Sequence, residues 1–158
     1  MYEAIVRQLT ERGVRFRIHR HPVAATVAEA QARLPFPPEQ FLKTLAFKVR
    51  DGGWVLAALR GLDRIDYRKL ADAVGVKRAE LHQPGPEEVQ AELGFAVGGV
   101  CPFPPTPDTV VIVDRDAARL DVVYCGIARE DSTLEIGLRD LLALTNARVQ
   151  AIAQSRPE

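Results

Sequence analysis

Apolar and polar positions alternate with two different periods along this chain of 158 residues, and the switches between them mark its elements. Residues 2–12 set Ile5, Val6 and Leu9 on one face of a helix with charged side chains opposite, and Gly13 stops it. Over residues 14–19 the period becomes two, which predicts a half-buried strand ended by His21-Pro22. Thr26-Val27-Ala28-Glu29 has the form of a capping box, in which the first and fourth side chains satisfy each other's backbone amides. An Ala-rich helical run follows to about Leu34, and Pro35, Pro37 and Pro38 break it. Residues 41–50 and 54–60 read as a hairpin around Asp51-Gly52-Gly53, the second strand apolar enough for burial on both faces.

Asp66 caps a helix that runs to Val74 and stops at Gly75. The pattern over residues 76–82 fits neither period. Pro86-Glu87-Glu88 opens a helix ending at Gly94, with proline in the first turn and acids favoured by the helix dipole. Residues 109–113, closed by Asp114, then 120–125 and 133–136 are strands, with a turn over Gly126 and residues 128–132. A short helix covers 139–144, and the residues from Ser155 fray. Neighbouring strands with scattered helices predict an α+β fold, its mixed sheet largely antiparallel, rather than a doubly wound parallel sheet. The length suits one compact domain over residues 1–158.

Composition narrows the function. Apolar residues make up 47% and charged residues 27%, which describes a folded chain. Formal net charge is zero, so no nonspecific grip on long nucleic acid such as DNA is expected, although a small local site could still recognise an RNA end. Two cysteines, Cys101 and Cys125, make no disulfide scaffold and point to a reducing cytoplasm. The first residues lack the build of a signal peptide, and no apolar run approaches a membrane span. No Gly-x-Gly-x-x-Gly follows a strand and no Walker sequence occurs, so no nucleotide cofactor is expected. His19, His21 and His82 share no ligand spacing with the cysteines, and no metal site is expected.

Two stretches carry candidate chemistry. Gly98-Gly99-Val100-Cys101-Pro102-Phe103-Pro104 leaves amides uncovered between a flexible and a stiff half, as a site for a carbonyl oxygen, a carboxylate or a phosphate requires. A surface turn is the plainer reading. Lys43 sits among Phe41, Leu42, Leu45 and Phe47; on the inner side of a sheet it must meet something anionic or carbonyl-like, whereas at an edge it faces solvent. Lys48 points to the opposite face. Cys101 would be a nucleophile if a base such as His21 lay within reach, and a small apolar filler otherwise. Cys125 reads as core and Asp114 as structural.

Several short stretches together resemble the YbaK/prolyl-tRNA synthetase-associated editing domain family, over about residues 10–152. They are His21 with Thr26-Val27-Ala28-Glu29-Ala30; Lys43-Thr44-Leu45; Leu59-Arg60-Gly61 with Leu62-Asp63; Gly98-Gly99-Val100-Cys101-Pro102-Phe103; Val111-Ile112-Val113-Asp114; and Gly126 leading to Leu134-Glu135-Ile136 and Asp140-Leu141-Leu142. The resemblance implies a barrel-like sheet with surrounding helices and a cytoplasmic, metal-independent deacylase acting on mischarged tRNA, notably prolyl-tRNA carrying alanine or cysteine. It implies the aminoacyl-tRNA 3′ end as partner, with a synthetase such as prolyl-tRNA synthetase as a second. The family's functional lysine maps onto Lys43, and its Gly-Gly-hydrophobic-Ser-Pro loop onto Gly98 to Pro102. Gly99, Val100 and Cys101 join Lys43 as the expected catalytic group. His21, Thr26, Thr44, Gly98, Pro102, Phe103, Ile112 and Gly126 are the expected substrate contacts, and a small pocket lined by Phe36, Phe41, Ile112 and Phe103 would sort amino acids by size. Two positions depart from the family pattern: Cys101 stands for serine and Pro104 for glycine. A noncatalytic binding module of the same fold and a Cys101/His21 thiol hydrolase are the competing readings.

Overall fold

The computed structural model describes residues 1–23, 36–96 and 98–155. The capping box at 26–29 and its helix fall outside them. In chain order the elements are α1 (Tyr2–Glu11), β1 (Phe16–Arg20), β2 (Leu42–Val49), β3 (Trp54–Arg60), α2 (Tyr67–Val74), β4 (Leu81–His82), α3 (Pro86–Leu93), β5 (Val110–Asp114), β6 (Val122–Gly126), β7 (Ser132–Gly137), α4 (Leu138–Thr145) and β8 (Arg148–Gln150).

The strands form two sheets. β1, β7 and β6 make an antiparallel sheet in that order, and β4-β2-β3-β5-β8 make a mixed one. In the larger sheet β2 runs antiparallel to β3 and β4, while β5 is parallel to β3 and β8 parallel to β5. The α+β expectation holds. The barrel-like part of it is corrected: β4 and β8 end the larger sheet, and the two sheets meet through a single bridge, Phe41 to Tyr124, among the described residues. No helix of the described residues is long and apolar enough to cross a membrane.

β3 explains the layering. Its alternate side chains serve two cores: Leu56 and Ala58 join Leu9, Phe95, Leu134 and Leu141, whereas Val55 and Ala57 join Phe47, Leu70, Leu81 and Ile152 on the α2 side. A strand covered on both faces needs no polar alternation, which is why this stretch reads as an unbroken apolar run. β5 divides in the same way, with Val111 and Val113 in the first core and Ile112 in the second.

Local signals placed several boundaries. The Asp66 carboxylate accepts the amides of Arg68 and Lys69, and α2 ends at Gly75 as read from sequence. Asp114 is structural: one carboxylate oxygen accepts the amides of Ile152 at 2.9 Å and Ala153 at 3.1 Å, the other that of Asp116. The unassigned stretch before His82 is a 3-10 turn, Arg78–Glu80, leading into β4, which pairs with the end of β2. β8, three exposed residues with no apolar alternation, went unseen; parallel pairing with β5 makes it a strand.

Candidate functional site

A cavity of about 450 Å3 lies where β2 meets β6 beneath the Gly98–Val100 loop. Its size is that of small-ligand sites in general. β2 contributes Lys43 and Thr44 to its wall, the loop Gly98 and Val100, and the smaller sheet His21 and Gly126. Six residues read from sequence as site members therefore converge there.

Lys43 pairs with Leu59 of β3, and on its other side β2 is covered by β4 only at Lys48 and Val49. Its ammonium donates to the backbone carbonyls of Gly61, at 3.2 Å, and Asp63. The carbonyl-like partner that an inward lysine requires is thus supplied by the turn after β3. Partial burial lowers its pKa, opposed by the Asp63 carboxylate and reinforced by Arg64. Three N–H bonds point from the ammonium and two are engaged. Lys48, on the other face as expected, reaches Glu92 and packs over Trp54.

Thr44 presents the most unusual group. The residue is 8% exposed, it lines the cavity, and its hydroxyl has no hydrogen-bond partner among the described residues. A buried hydroxyl without a partner costs about 1–3 kcal/mol, which a ligand bearing a complementary group would offset.

The loop is positioned by close backbone approach. A Cβ on Gly126 would stand 2.5 Å from the Val100 carbonyl oxygen, and one on Gly99 2.7 Å from the backbone at Ala128 and Arg129. No other residue fits at either place without a backbone shift. The Gly99 carbonyl accepts the Ala128 amide at 2.8 Å, and the Gly99 amide donates to Ala96 at 2.8 Å. Gly99 is therefore engaged internally, which corrects its expected place among the free amides. The amides of Val100 and Cys101 donate to no backbone carbonyl among the described residues.

The rest of the loop turns inward. Cys101 is fully buried in the first core, and burial pushes its thiol up to about 12 against the backbone amides of Phe103 and Ala128. That shift disfavours a thiolate at neutral pH. His21, its supposed base, has both ring nitrogens occupied: Nδ1 lies 2.7 Å from the Pro22 carbonyl and Nε2 2.8 Å from the Thr133 hydroxyl. A carbonyl only accepts, so Nδ1 donates to Pro22, and Nε2 is held by the Thr133 hydroxyl. The Cys101/His21 nucleophile is corrected on these grounds. Pro102 and Phe103 are buried away from the cavity, and Ile112 faces the α2 core because strand alternation turns it from the site. These three expected contacts are corrected as packing residues. Thr26 lies outside the described residues.

The aromatic side of the expected pocket survives in altered form. Phe41 lines the cavity, and Phe36 stacks on Tyr124 with ring centroids 4.1 Å apart and planes 12° from parallel. His19 meets Phe36 edge-on and places Nε2 2.9 Å from a Glu135 carboxylate oxygen. Sequence reasoning missed Tyr124, Thr133, Gln83 and Glu130 in the lining. Thr133 had a signal, since in an alternating strand it must face opposite Leu134. Gln83 and Glu130 stand in turns and had none. Among the described residues no group of three or more His, Cys, Asp or Glu could hold a metal ion.

Comparison with known proteins gives the site its context. Residues 21–144 match the model of the aminoacyl-tRNA editing domain. A proline–tRNA ligase of Geobacillus kaustophilus is 29% identical over 139 residues, covering 86% of this chain but 24% of the ligase. An Enterococcus faecalis protein named as a candidate Cys-tRNA(Pro)/Cys-tRNA(Cys) deacylase is 26% identical, covering 84% of this chain and 77% of that one. A crystal structure of a candidate trans-editing enzyme for prolyl tRNA synthetase superposes with a TM-score of 0.82 at 28% identity, over 98% of this chain and 97% of that one.

Proposed function

This chain belongs to the aminoacyl-tRNA editing domain family, and from that premise we propose that it is a trans-editing deacylase. The reaction is hydrolysis of the ester joining a small amino acid, such as alanine or cysteine, to the 3′ end of a mischarged tRNA, with tRNA-Pro as the acceptor. The observation that supports this reading is the cavity itself, whose wall carries the Thr44 hydroxyl, without a partner among the described residues, and the Val100 side of the loop, with Lys43 one position along β2 and its ammonium on the turn after β3. Water attacks the ester carbonyl, the carbon–oxygen bond to the ribose breaks, and the departing ribose oxygen takes the proton. Free amino acid and tRNA are the products.

The amide of Val100 is the donor we assign to the developing oxyanion, since Cys101 is fully buried outside the cavity wall. Lys43 offers its third N–H to the ester carbonyl or to the terminal phosphate. Thr44 faces the amino-acid side chain, with His21 and Gly126 shaping the wall beside it. The free ribose hydroxyl of the tRNA orients the water; a cysteinyl substrate can instead attack its own ester carbonyl, forming the C–S bond of a thiolactone as the bond to the ribose oxygen breaks and the thiol proton passes to that oxygen, and water then opens the thiolactone to free cysteine. Size selection in such a pocket is modest, about 1–3 kcal/mol per methylene. The work is cytoplasmic, needs no metal in this scheme, and takes prolyl-tRNA synthetase as its partner.

The test is a deacylation panel of alanyl, cysteinyl and seryl esters on several tRNAs, wild type beside Lys43→Ala. Release of a small amino acid by the wild type and its loss in the variant support the reading; equal rates remove Lys43 from the mechanism. The second reading, a binding module without turnover, is favoured by the engaged Gly99 amide and the buried Cys101. Multiple turnover on any ester excludes it.

A further inference from the structure

Charge is unevenly placed on this neutral chain. Five of its 21 basic residues but two of its 21 acidic ones fall in the first twenty positions, leaving 16 and 19 in the remainder. Three of those five arginines, Arg15, Arg17 and Arg20, lie on or beside β1, and all three are exposed. β1 is the edge of the smaller sheet. Its alternation has a direct consequence. Phe16 and Ile18 pack on the first core and pair with Ile136 and Leu134. Arg15, Arg17, His19 and His21 therefore share the other face.

That face leads to the site. His19 holds Glu135, His21 meets Thr133, and His21 and Thr133 both line the cavity. At about 6.6 Å between alternate side chains, the row from Arg15 to His21 extends roughly 20 Å along the strand. Neither Arg15 nor Arg17 makes an ion pair among the described residues; the carboxylate opposite Arg17, Glu135, is bonded to His19. Large exposed apolar side chains among the described residues are Val23, Leu62 and Val149, and none stands between the arginines. A protein-binding patch has an apolar centre. A row of unpaired guanidiniums without one suits a polyanion backbone.

We propose that Arg15 and Arg17 form a phosphate-binding track that carries the acceptor-stem backbone of tRNA along edge strand β1 toward the cavity. This rests on the deacylase reading for the identity of the RNA, but not for its test. A chain of zero net charge gains local affinity for RNA from such a track without a basic overall charge.

The test measures binding of uncharged tRNA to the full chain over a range of salt concentrations, so no hydrolysis is required. Arg15→Ala/Arg17→Ala is expected to weaken binding on the order of tenfold at low salt and to lower the slope of log K against log salt by about 1.5, the loss of two phosphate contacts. Arg15→Lys/Arg17→Lys, which keeps both charges, is expected to recover most of the slope. Arg20→Ala removes the same charge from the opposite face and is expected to cost far less. Unchanged affinity and slope in the double alanine variant overturn the track, as does an Arg20→Ala effect equal to that of the pair. Failure of the wild type to bind tRNA also overturns it, and the arginines are then tested against a synthetase as a protein-facing surface. Arginine-dependent tRNA binding without any ester hydrolysis would uphold the track and sink the deacylase.

Discussion

The Gly98–Phe103 loop and strand β2 reach the same cavity by opposite means. The loop has the composition expected of a binding element, yet most of it is occupied with its own packing: Gly99 bonds to Ala96 and Ala128, and Cys101, Pro102 and Phe103 turn into the core. β2 looks like an ordinary interior strand, yet it delivers a half-buried lysine and a hydroxyl without a partner. Glycines there serve close approach at least as much as they bare amides. Reactive potential concentrates where the fold tolerates an unmet need, and that need is a property of neighbours rather than of residue type.

The loop's structural role is most exposed at Gly126. Gly126→Ala places a methyl 2.5 Å from the Val100 carbonyl oxygen, so it should destabilise by about 3 kcal/mol or more, as backbone clashes do, read as a fall in the denaturant midpoint. A midpoint within error of wild type would mean the loop yields freely. On the strand side, Lys43→Ala should lower deacylation by about 100-fold or more, equivalent to about 2.7 kcal/mol of transition-state stabilisation, and should also lower the melting temperature, because the Gly61 and Asp63 carbonyls lose their donor. A drop confined to KM would reassign Lys43 to ground-state binding.

Thr44→Val sharpens the comparison further. It removes a hydroxyl that has no partner, so the free protein should gain about 1 kcal/mol, measured by urea unfolding, while activity falls. A loss of stability would show that the hydroxyl is satisfied in solution. The smallest effect belongs to Cys101→Ser, which should keep deacylation within about threefold. Buried, with its thiol pushed up to about 12, native Cys101 should also resist iodoacetamide at pH 8. Its reactivity should rise only as the pH approaches that value or the core opens. Rapid alkylation of the folded protein with loss of activity would restore a catalytic thiol.

Much of the architecture was legible because its causes are local. Asp66 and Gly75 bracket α2 through backbone amides they can satisfy within one turn, and the apolar run of β3 announces a strand covered on both sides. β4 and β8 were not legible, since a two- or three-residue strand exists only where a partner supplies the ladder. Lys43, Thr44, His21, Gly98, Val100 and Gly126, singled out from the sequence, stand in the cavity wall, whereas Ile112 and Phe103 lie in the cores. Both are large apolar residues next to matching motifs. Which of two cores receives such a side chain is decided by sheet pairing, which no short stretch encodes. The Arg15–Arg17 row was hidden by the zero net charge, a sum that erases position.

β3 has a consequence of its own. Because its odd and even side chains floor different cores, neither core can come apart while the other stays intact. Loss of either exposes the back of the same strand to water, so the large sheet should open as one unit. The cavity on β2, hydrogen-bonded along its length to β3, should then open only with that sheet. A pocket built this way should hold its shape before its ligand arrives.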